Sequence, residues 1–239
     1  MRRETQNVLL VLLGGALLKI SFTGAYLRYV KPAHQWLLIA GGVVMLVLAA
    51  VSIVRDVTAR RHVEHPDHEH STRSAWLLVL PVLAVFLVAP PALGSDSVER
   101  AGDAAPRAAA SAEDDGSALF PALPPGEVLP LTLSEFVERA AWDSADSLDG
   151  RRIRLTGFVV HEGDKTHVAR FAISCCAADA YPIKVLLDGA DLTDRPDDSW
   201  IRAVVELVPG SPTKANGYVP TVTVHSVQPI PQPEDPYEH

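Results

Sequence analysis

Sequence motifs that mark enzymes are missing from this chain. Cysteine occurs only twice, as the adjacent pair Cys175 and Cys176, so the C-x-x-C spacing of thioredoxin-type redox sites is absent. The sequence also contains no G-x-S-x-G, P-loop, H-E-x-x-H or Rossmann fingerprint, and these are the usual signatures of hydrolases, nucleotide-binding proteins and metalloproteases. We therefore expect a protein that is not an enzyme.

Positive charge is scarce in the second part of the chain. Residues 1–93 carry nine Lys or Arg against five Asp or Glu, whereas residues 94–239 carry twelve against twenty-four. Nucleic-acid binding needs a basic groove that neutralises phosphates, so the acidic part is unsuited to it. The opposite signs also indicate that the two parts of the chain occupy different environments.

Long apolar runs predict two to three membrane-spanning helices in the transmembrane region, residues 1–93. The run at about 36–54 is 19 residues long and has no charged residue, close to the ~20 apolar residues that a bilayer-spanning helix needs. The run at about 8–28 contains Lys19, which must extend towards the interface or face a partner. The run at about 75–93 is interrupted by Pro81, which a membrane helix tolerates when neighbouring groups satisfy the freed carbonyl.

The distribution of basic residues predicts how these helices are oriented. Segments on the inner side carry more Lys and Arg, which places the N-terminus in the cytoplasm and everything after residue 93 outside it. The chain would then be a multi-pass protein of the cell membrane. A cleaved signal peptide is the alternative for the first run. The inner segments carry Arg2, Arg3, Arg55, Arg60, Arg61 and Arg73, and the outer hairpin carries Arg28 and Lys31.

A histidine-rich loop at 55–74 separates the second and third runs. Imidazole and carboxylate together suit zinc, nickel or cobalt, and His-rich tracts are typical of metal binding by composition. The alternative is a solvated polar loop without a ligand. The four histidines are His62, His65, His68 and His70.

The acidic part divides into a linker and a β-domain. Residues 94–128 are rich in Ala, Pro, Ser and acidic side chains, a composition typical of a flexible tether. In the extracytoplasmic domain, residues 129–239, Thr132 and Glu135 form a capping-box pattern. This pattern predicts one short helix from Leu133 to Ala141.

Five alternating runs follow and predict a small all-β fold. Five strands in about 100 residues hide their edges best by closing into an OB-like barrel, and a sandwich is the alternative. The runs are Arg152–Val160, His167–Ser174, Pro182–Leu187, Trp200–Val208 and Pro220–Pro229.

The cysteine pair leaves four interpretations open. The thiols could hold a metal together with Asp179, although zinc usually takes four ligands and the fourth would have to come from His161, His167 or His225. They could form a vicinal disulfide, or act in redox chemistry with Arg170 lowering a thiol pKa. They could also be structural, since cysteine is often just a small buried hydrophobe.

The segment around the pair resembles the YcgQ-like bacterial membrane proteins, whose members are described as permease subunits with a domain of unknown function. The resemblance implies pairing with a multi-span, permease-like membrane protein and an association of some members with zinc-responsive regulation. It implies no catalytic residue. It rests on Arg170–Ala180 (RFAISCCAADA), Trp200–Ala203, Pro229–Tyr237 and Gly24–Pro32.

These observations lead to one expected function and two alternatives. We expect an accessory subunit of a membrane transport system, with zinc or another transition metal at Cys175, Cys176 and Asp179. The alternatives are a thiol-redox protein of the cell envelope and a purely structural domain that binds a partner.

Overall fold

Two compact units make up the chain, Met1–Pro91 and Ala92–His239. The computed structural model describes residues 3–60, the single positions 80, 83 and 87, and residues 91–101, 120–189 and 191–239. Most of the predicted third apolar run lies outside the described residues, as do the four histidines of the predicted loop.

The first unit contains a hairpin of two apolar helices, α1 (Arg3–Phe22) and α2 (Gln35–Arg60). Both are long and apolar enough to cross a membrane by length and composition. Helix α1 ends earlier than predicted because Gly24 adopts a left-handed backbone with φ of 77°, which is typical of a helix end. Helix α2 extends further than predicted, so the first residues of the predicted loop are helical.

A glycine pair lets the two helices of the hairpin pack closely. A Cβ added to Gly14 would lie 2.9 Å from the Gly42 carbonyl oxygen, and a Cβ added to Gly42 would lie 3.0 Å from the Gly14 oxygen. Small residues at such crossings are typical of membrane helices, where close van der Waals packing holds helices together. Gln35 adds a hydrogen bond from its Nε2 to the Ser21 carbonyl oxygen at 3.1 Å.

The second unit is built on a mixed seven-stranded sheet in the order β1-β2-β5-β6-β4-β3-β7. Strand β2 also pairs with β3, so each of the five strands β2 to β6 has a paired neighbour on both sides. The five predicted strands are confirmed, with shifted ends, whereas β1 and β7 were not predicted. The strands are β1 (Val128–Pro130), β2 (Arg152–Glu162), β3 (Lys165–Ala172), β4 (Tyr181–Asp188), β5 (Trp200–Leu207), β6 (Thr221–Pro229) and β7 (Tyr237–Glu238).

The larger hydrophobic core of this unit lies between the sheet and the predicted short helix. That helix spans Leu133–Trp142 and follows the N-cap Thr132, whose side chain accepts a hydrogen bond from the Glu135 N–H at 3.1 Å. Its residues Leu133 and Phe136 are fully buried. They pack with the alternating residues of β2, β4 and β5, as the period-two pattern of the strands requires.

The start of the predicted linker belongs to the compact unit. Residues Ser95–Ala101 form a helix, α3, so the Leu133–Trp142 helix is α4. Val98 of α3 is fully buried in a second core cluster. The carboxylate of Asp198 accepts hydrogen bonds from the Ser95 N–H at 2.6 Å and from its hydroxyl at 3.1 Å. The prediction of a tether is therefore wrong for this helix, because the buried Val98 side chain and the two hydrogen bonds from Ser95 to Asp198 dock it.

Candidate metal and thiol site

Both cysteines lie in the thiol loop, residues 173–180, which joins β3 to β4. The loop leaves the sheet after Ala172, and Ile173 is still buried. The chain then turns through a short 3-10 helix, Ala177–Asp179, before β4 begins. This turn lets two neighbouring thiols lie on the same side of the chain. An extended strand does not, because its neighbouring side chains point to opposite faces.

Asp179 organises the thiol loop. Its Oδ1 accepts a hydrogen bond from the Ser174 N–H at 2.8 Å. Its Oδ2 accepts from the N–H groups of Cys175 at 2.8 Å and Cys176 at 3.4 Å. Three successive N–H groups thus converge on one carboxylate, as expected for an aspartate that closes a turn.

The turn brings the two thiols together near the same carboxylate. The Sγ atoms of Cys175 and Cys176 lie 3.6 Å apart, and both cysteines are free. One ligand atom from each cysteine and one from Asp179 lie within 4.8 Å of one another, a group that could hold a metal ion. Cys175 is exposed and Cys176 is partly exposed, so an ion or another protein can reach the pair.

The electrostatics of the loop keep Cys175 protonated. Its hydrogen bond to the Asp179 carboxylate, followed by that to Cys176, raises the pKa of Cys175 to about 12. The same bond to Cys175, reinforced by the backbone N–H groups, lowers the pKa of Asp179 to about 2. Because the thiolate is the nucleophile and the metal ligand, the raised pKa lowers the fraction of Cys175 that is ionised at neutral pH.

Arg170 does not act on the thiols as the redox interpretation requires. That interpretation needs a lowered thiol pKa, whereas the pKa of Cys175 is raised. The guanidinium of Arg170 instead donates hydrogen bonds to the backbone oxygens of Asp235, Pro236 and Tyr237. The guanidinium of Arg170 is therefore directed to residues 235–237.

The histidines considered as a fourth ligand have other positions. The His161 ring lies 2.7 Å from the Asp197 carboxylate, and the His225 ring lies 3.1 Å from that of Glu206. His167 is buried in β3. Within the part of the chain that the structure describes, the group with Cys175 and Cys176 is completed by Asp179 alone.

Glu238, which was not predicted from the sequence, lies at this site, and its backbone oxygen accepts a hydrogen bond from the Ile173 N–H at 3.0 Å. Glu238 is buried and lies beside the start of the thiol loop. No local pattern could identify it, because the residues that it contacts are more than sixty positions away in the chain. The motif around the cysteines, in contrast, was visible from the sequence.

Comparison with known proteins places the chain in a family of unknown function. Residues 5–103 match the DUF1980 N-terminal domain, and residues 135–239 match the DUF1980 C-terminal domain. The two matches cover the apolar hairpin and most of the sheet with the thiol loop. No curated protein and no solved structure matches the chain.

Proposed function

We propose that this chain, in which both DUF1980 domains are found, is a membrane-anchored accessory subunit of a transport system that binds a thiophilic metal ion. The observation that carries the proposal is the convergence of Cys175, Cys176 and Asp179 within 4.8 Å on an exposed loop. The ion would be zinc or another transition metal, since thiolate and carboxylate ligands suit these ions.

The number of ligands suits an ion that is passed on. Structural zinc sites are usually closed by four protein ligands, whereas this group offers three. A fourth position would be free for water or for a ligand from a partner protein. Asp179, whose pKa is lowered to about 2, stays ionised at and well below neutral pH and supplies the negative charge that draws a cation to the thiols.

The apolar hairpin supports the membrane anchor. Helices α1 and α2 expose large apolar side chains along their length, including Trp36, Leu37 and Val54, as a lipid-facing surface requires. With the third predicted run, 75–93, as a further crossing, the excess of basic residues on one side of the predicted helices supports a cytoplasmic N-terminus and an extracytoplasmic β-domain. The resemblance to YcgQ-like proteins supports a multi-span, permease-like partner.

The strand pairing supports an OB-type barrel for the β-domain. Strands β2, β5, β6, β4 and β3 pair in turn, and the pairing of β3 with β2 links the ends of this series. Only the pairing of β4 with β6 is parallel within it. Barrel closure removes unpaired edges. A closed barrel would hold β3 and β4, the strands that the thiol loop joins, in fixed positions.

Cobalt(II) titration of the full-length protein in detergent, with the thiols kept reduced, tests the metal site. Thiolate-to-cobalt charge-transfer absorption reports sulfur ligands alone, so histidines elsewhere do not contribute to it. We expect this absorption in the wild-type protein, and we expect Asp179→Asn to weaken cobalt binding roughly tenfold. Asp191→Asn is the matched control, because Asp191 also caps an exposed turn, at Thr193.

Two outcomes would refute the metal site. The first is a reduced wild-type protein that gives no thiolate–cobalt absorption. The second is a zinc stoichiometry that is the same in the wild type and in the Cys175→Ser/Cys176→Ser variant. Such results would leave a domain that binds its partner without a metal.

Labelling with a membrane-impermeant maleimide tests the placement of the β-domain. Ala215 is exposed in the short 3-10 helix Lys214–Asn216, which precedes β6, so Ala215→Cys in the Cys175→Ser/Cys176→Ser background provides a single accessible thiol. We expect labelling in intact cells. Labelling only after the cells are permeabilised would place the domain in the cytoplasm and refute the topology.

A second candidate function is dithiol–disulfide exchange, favoured by the 3.6 Å separation of the two Sγ atoms. In this reaction the pair would give two electrons and two protons to a partner disulfide. The Cys175–Cys176 bond would form as the partner becomes a dithiol. Incubation with oxidised glutathione followed by alkylation and mass spectrometry tests it: a reversible intramolecular disulfide supports exchange, and permanently reduced cysteines contradict it.

A further inference from the structure

Residues 235–239, which we call the clip, lie beside the thiol loop although they are far from it in sequence. Within the clip, β7 pairs in parallel with β3, with Tyr237 opposite Phe171 and Glu238 opposite Ala172. The ladder continues by one step, from the Ile173 N–H to the Glu238 carbonyl oxygen at 3.0 Å. The clip therefore holds the first residue of the loop by a backbone hydrogen bond.

Arg170 fastens the clip from the β3 side. Its Nη2 donates to the carbonyl oxygens of Asp235 at 2.8 Å and Tyr237 at 3.2 Å. Its Nε donates to the Pro236 oxygen at 3.2 Å. The guanidinium also lies over the Trp200 ring, 5.6 Å from its centre. A planar guanidinium can donate hydrogen bonds to several acceptors at once, whereas a lysine ammonium cannot donate to them with the same geometry.

Glu238 fastens the clip from the other side, at the beginning of α4. Its buried carboxylate accepts hydrogen bonds from the N–H groups of Leu133 and Ser134, both at 2.8 Å, and from the Ser134 hydroxyl at 2.5 Å. A carboxylate is favourable there because the first N–H groups of a helix lack partners within the helix. Arg170 lies 3.8 Å from the same carboxylate.

We infer that Arg170 and Glu238 are positioning residues that, through the clip, hold the thiol loop in the conformation that gathers Cys175, Cys176 and Asp179. Ile173 is buried, and its N–H would lose its partner if the clip moved, at the cost of an unsatisfied buried donor. Two residues further on, the Cys175 N–H binds Asp179, so displacement of residue 173 disturbs the ligand group directly. The part of this inference that concerns a metal rests on the proposed function.

Hydrogen–deuterium exchange of the metal-free, full-length protein in detergent tests the clip without any ligand. We expect Arg170→Lys to raise the exchange of residues 173–176 roughly tenfold, because one ammonium cannot replace three hydrogen bonds to the clip. Glu238→Gln, which preserves side-chain volume, should also raise the exchange of residues 173–176. The matched control is Arg152→Lys, since Arg152 of β2 is half exposed and pairs at 3.7 Å with the exposed Glu127.

Cobalt titration of the same variants tests whether the clip affects metal binding at the thiol loop. We expect Arg170→Lys and Glu238→Gln to weaken thiolate–cobalt binding roughly tenfold, as is usual for residues that support metal ligands, while Arg152→Lys matches the wild type. Wild-type exchange in both variants would overturn the inference, as would faster exchange with unchanged cobalt affinity. A wild-type protein without thiolate–cobalt absorption would refute the metal site, and the exchange data would still decide what the clip does.

Discussion

At the scale of single residues, the bond between Cys175 and Asp179 sets the chemistry of the site. The carboxylate is held by three backbone N–H groups, so its position is fixed by the turn itself. It raises the pKa of the Cys175 thiol, which keeps that thiol protonated in the absence of metal. Binding of an ion at the proposed metal site would therefore release a proton, and its affinity should increase with pH until Cys175 itself titrates.

Asp179→Asn should make Cys175 more reactive. The wild-type pKa of Cys175 is raised to about 12, so its thiolate fraction at pH 8 is minute and increases with pH across the whole accessible range. Removing the carboxylate charge lowers this pKa and should raise the alkylation rate of Cys175 at pH 8 at least ~tenfold. Alkylation followed by peptide mass spectrometry measures the rate. Asp191→Asn is the control. If Asp179→Asn alkylates at the same rate as the wild type and this control, the Asp179 carboxylate is not what raises the pKa of Cys175.

At the scale of secondary-structure elements, the helix hairpin depends on one glycine crossing. Gly14→Ala should destabilise the hairpin by about 2 kcal/mol, because the new Cβ would lie 2.9 Å from the Gly42 oxygen and would push the helices apart. Gly15→Ala is the matched control, since a Cβ at Gly15 meets nothing within 4 Å. Thermal unfolding in detergent measures both variants. Equal unfolding midpoints of Gly14→Ala and Gly15→Ala would show that close packing at Gly14 and Gly42 does not stabilise the hairpin.

Helix α3 should contribute to the stability of the β-sheet unit. Val98 is fully buried among aromatic side chains such as Phe158 and Phe171. Val98→Ala should therefore cost about 2 kcal/mol through lost burial and a cavity, whereas Glu99→Ala on the exposed side of α3 should cost little. Denaturant unfolding followed by tryptophan fluorescence compares the two. Equal stability of these variants would mean that α3 is not part of the cooperative unit.

At the scale of the whole molecule, residues 102–119 connect two elements of the same compact unit. Both flanks of this stretch, α3 and the segment leading to β1, belong to Ala92–His239. The residues just before α3 also contact the β-sheet unit: the Leu93 N–H donates a hydrogen bond to the Tyr237 hydroxyl at 3.0 Å. The stretch is therefore not what joins the β-sheet unit to the apolar hairpin.

Cleavage within residues 102–119 should leave the protein assembled. A protease site placed there and cut in mild detergent gives two fragments, and we expect them to co-purify because the docking of α3 is non-covalent but buried. Combining the cut with Val98→Asp should separate them, since an unpaired buried charge opposes docking. Release of the 120–239 fragment from the otherwise unchanged chain would restore the tether prediction.

The sequence determined the elements whose signals are local. Period-two alternation identified the five strands β2 to β6, and Thr132 with Glu135 identified the start of α4, because burial of one face and helix capping leave their mark within a few residues. The apolar runs identified α1 and α2 for the same reason. The adjacent cysteines and Asp179 were also recognised as a candidate group, since only a short turn is needed to bring them together.

Only the tertiary structure decided how these pieces support one another. Strand β7, the docking of α3, and the roles of Arg170 and Glu238 depend on contacts between residues that are distant in the chain, such as Leu133 with Glu238. Such contacts are chosen by how the folded surfaces fit, and a two-residue strand or a seven-residue helix has too little periodicity to reveal itself. The direction of the Cys175 pKa shift was likewise set by geometry, because the sequence places a cation at Arg170 but the fold turns it towards the clip.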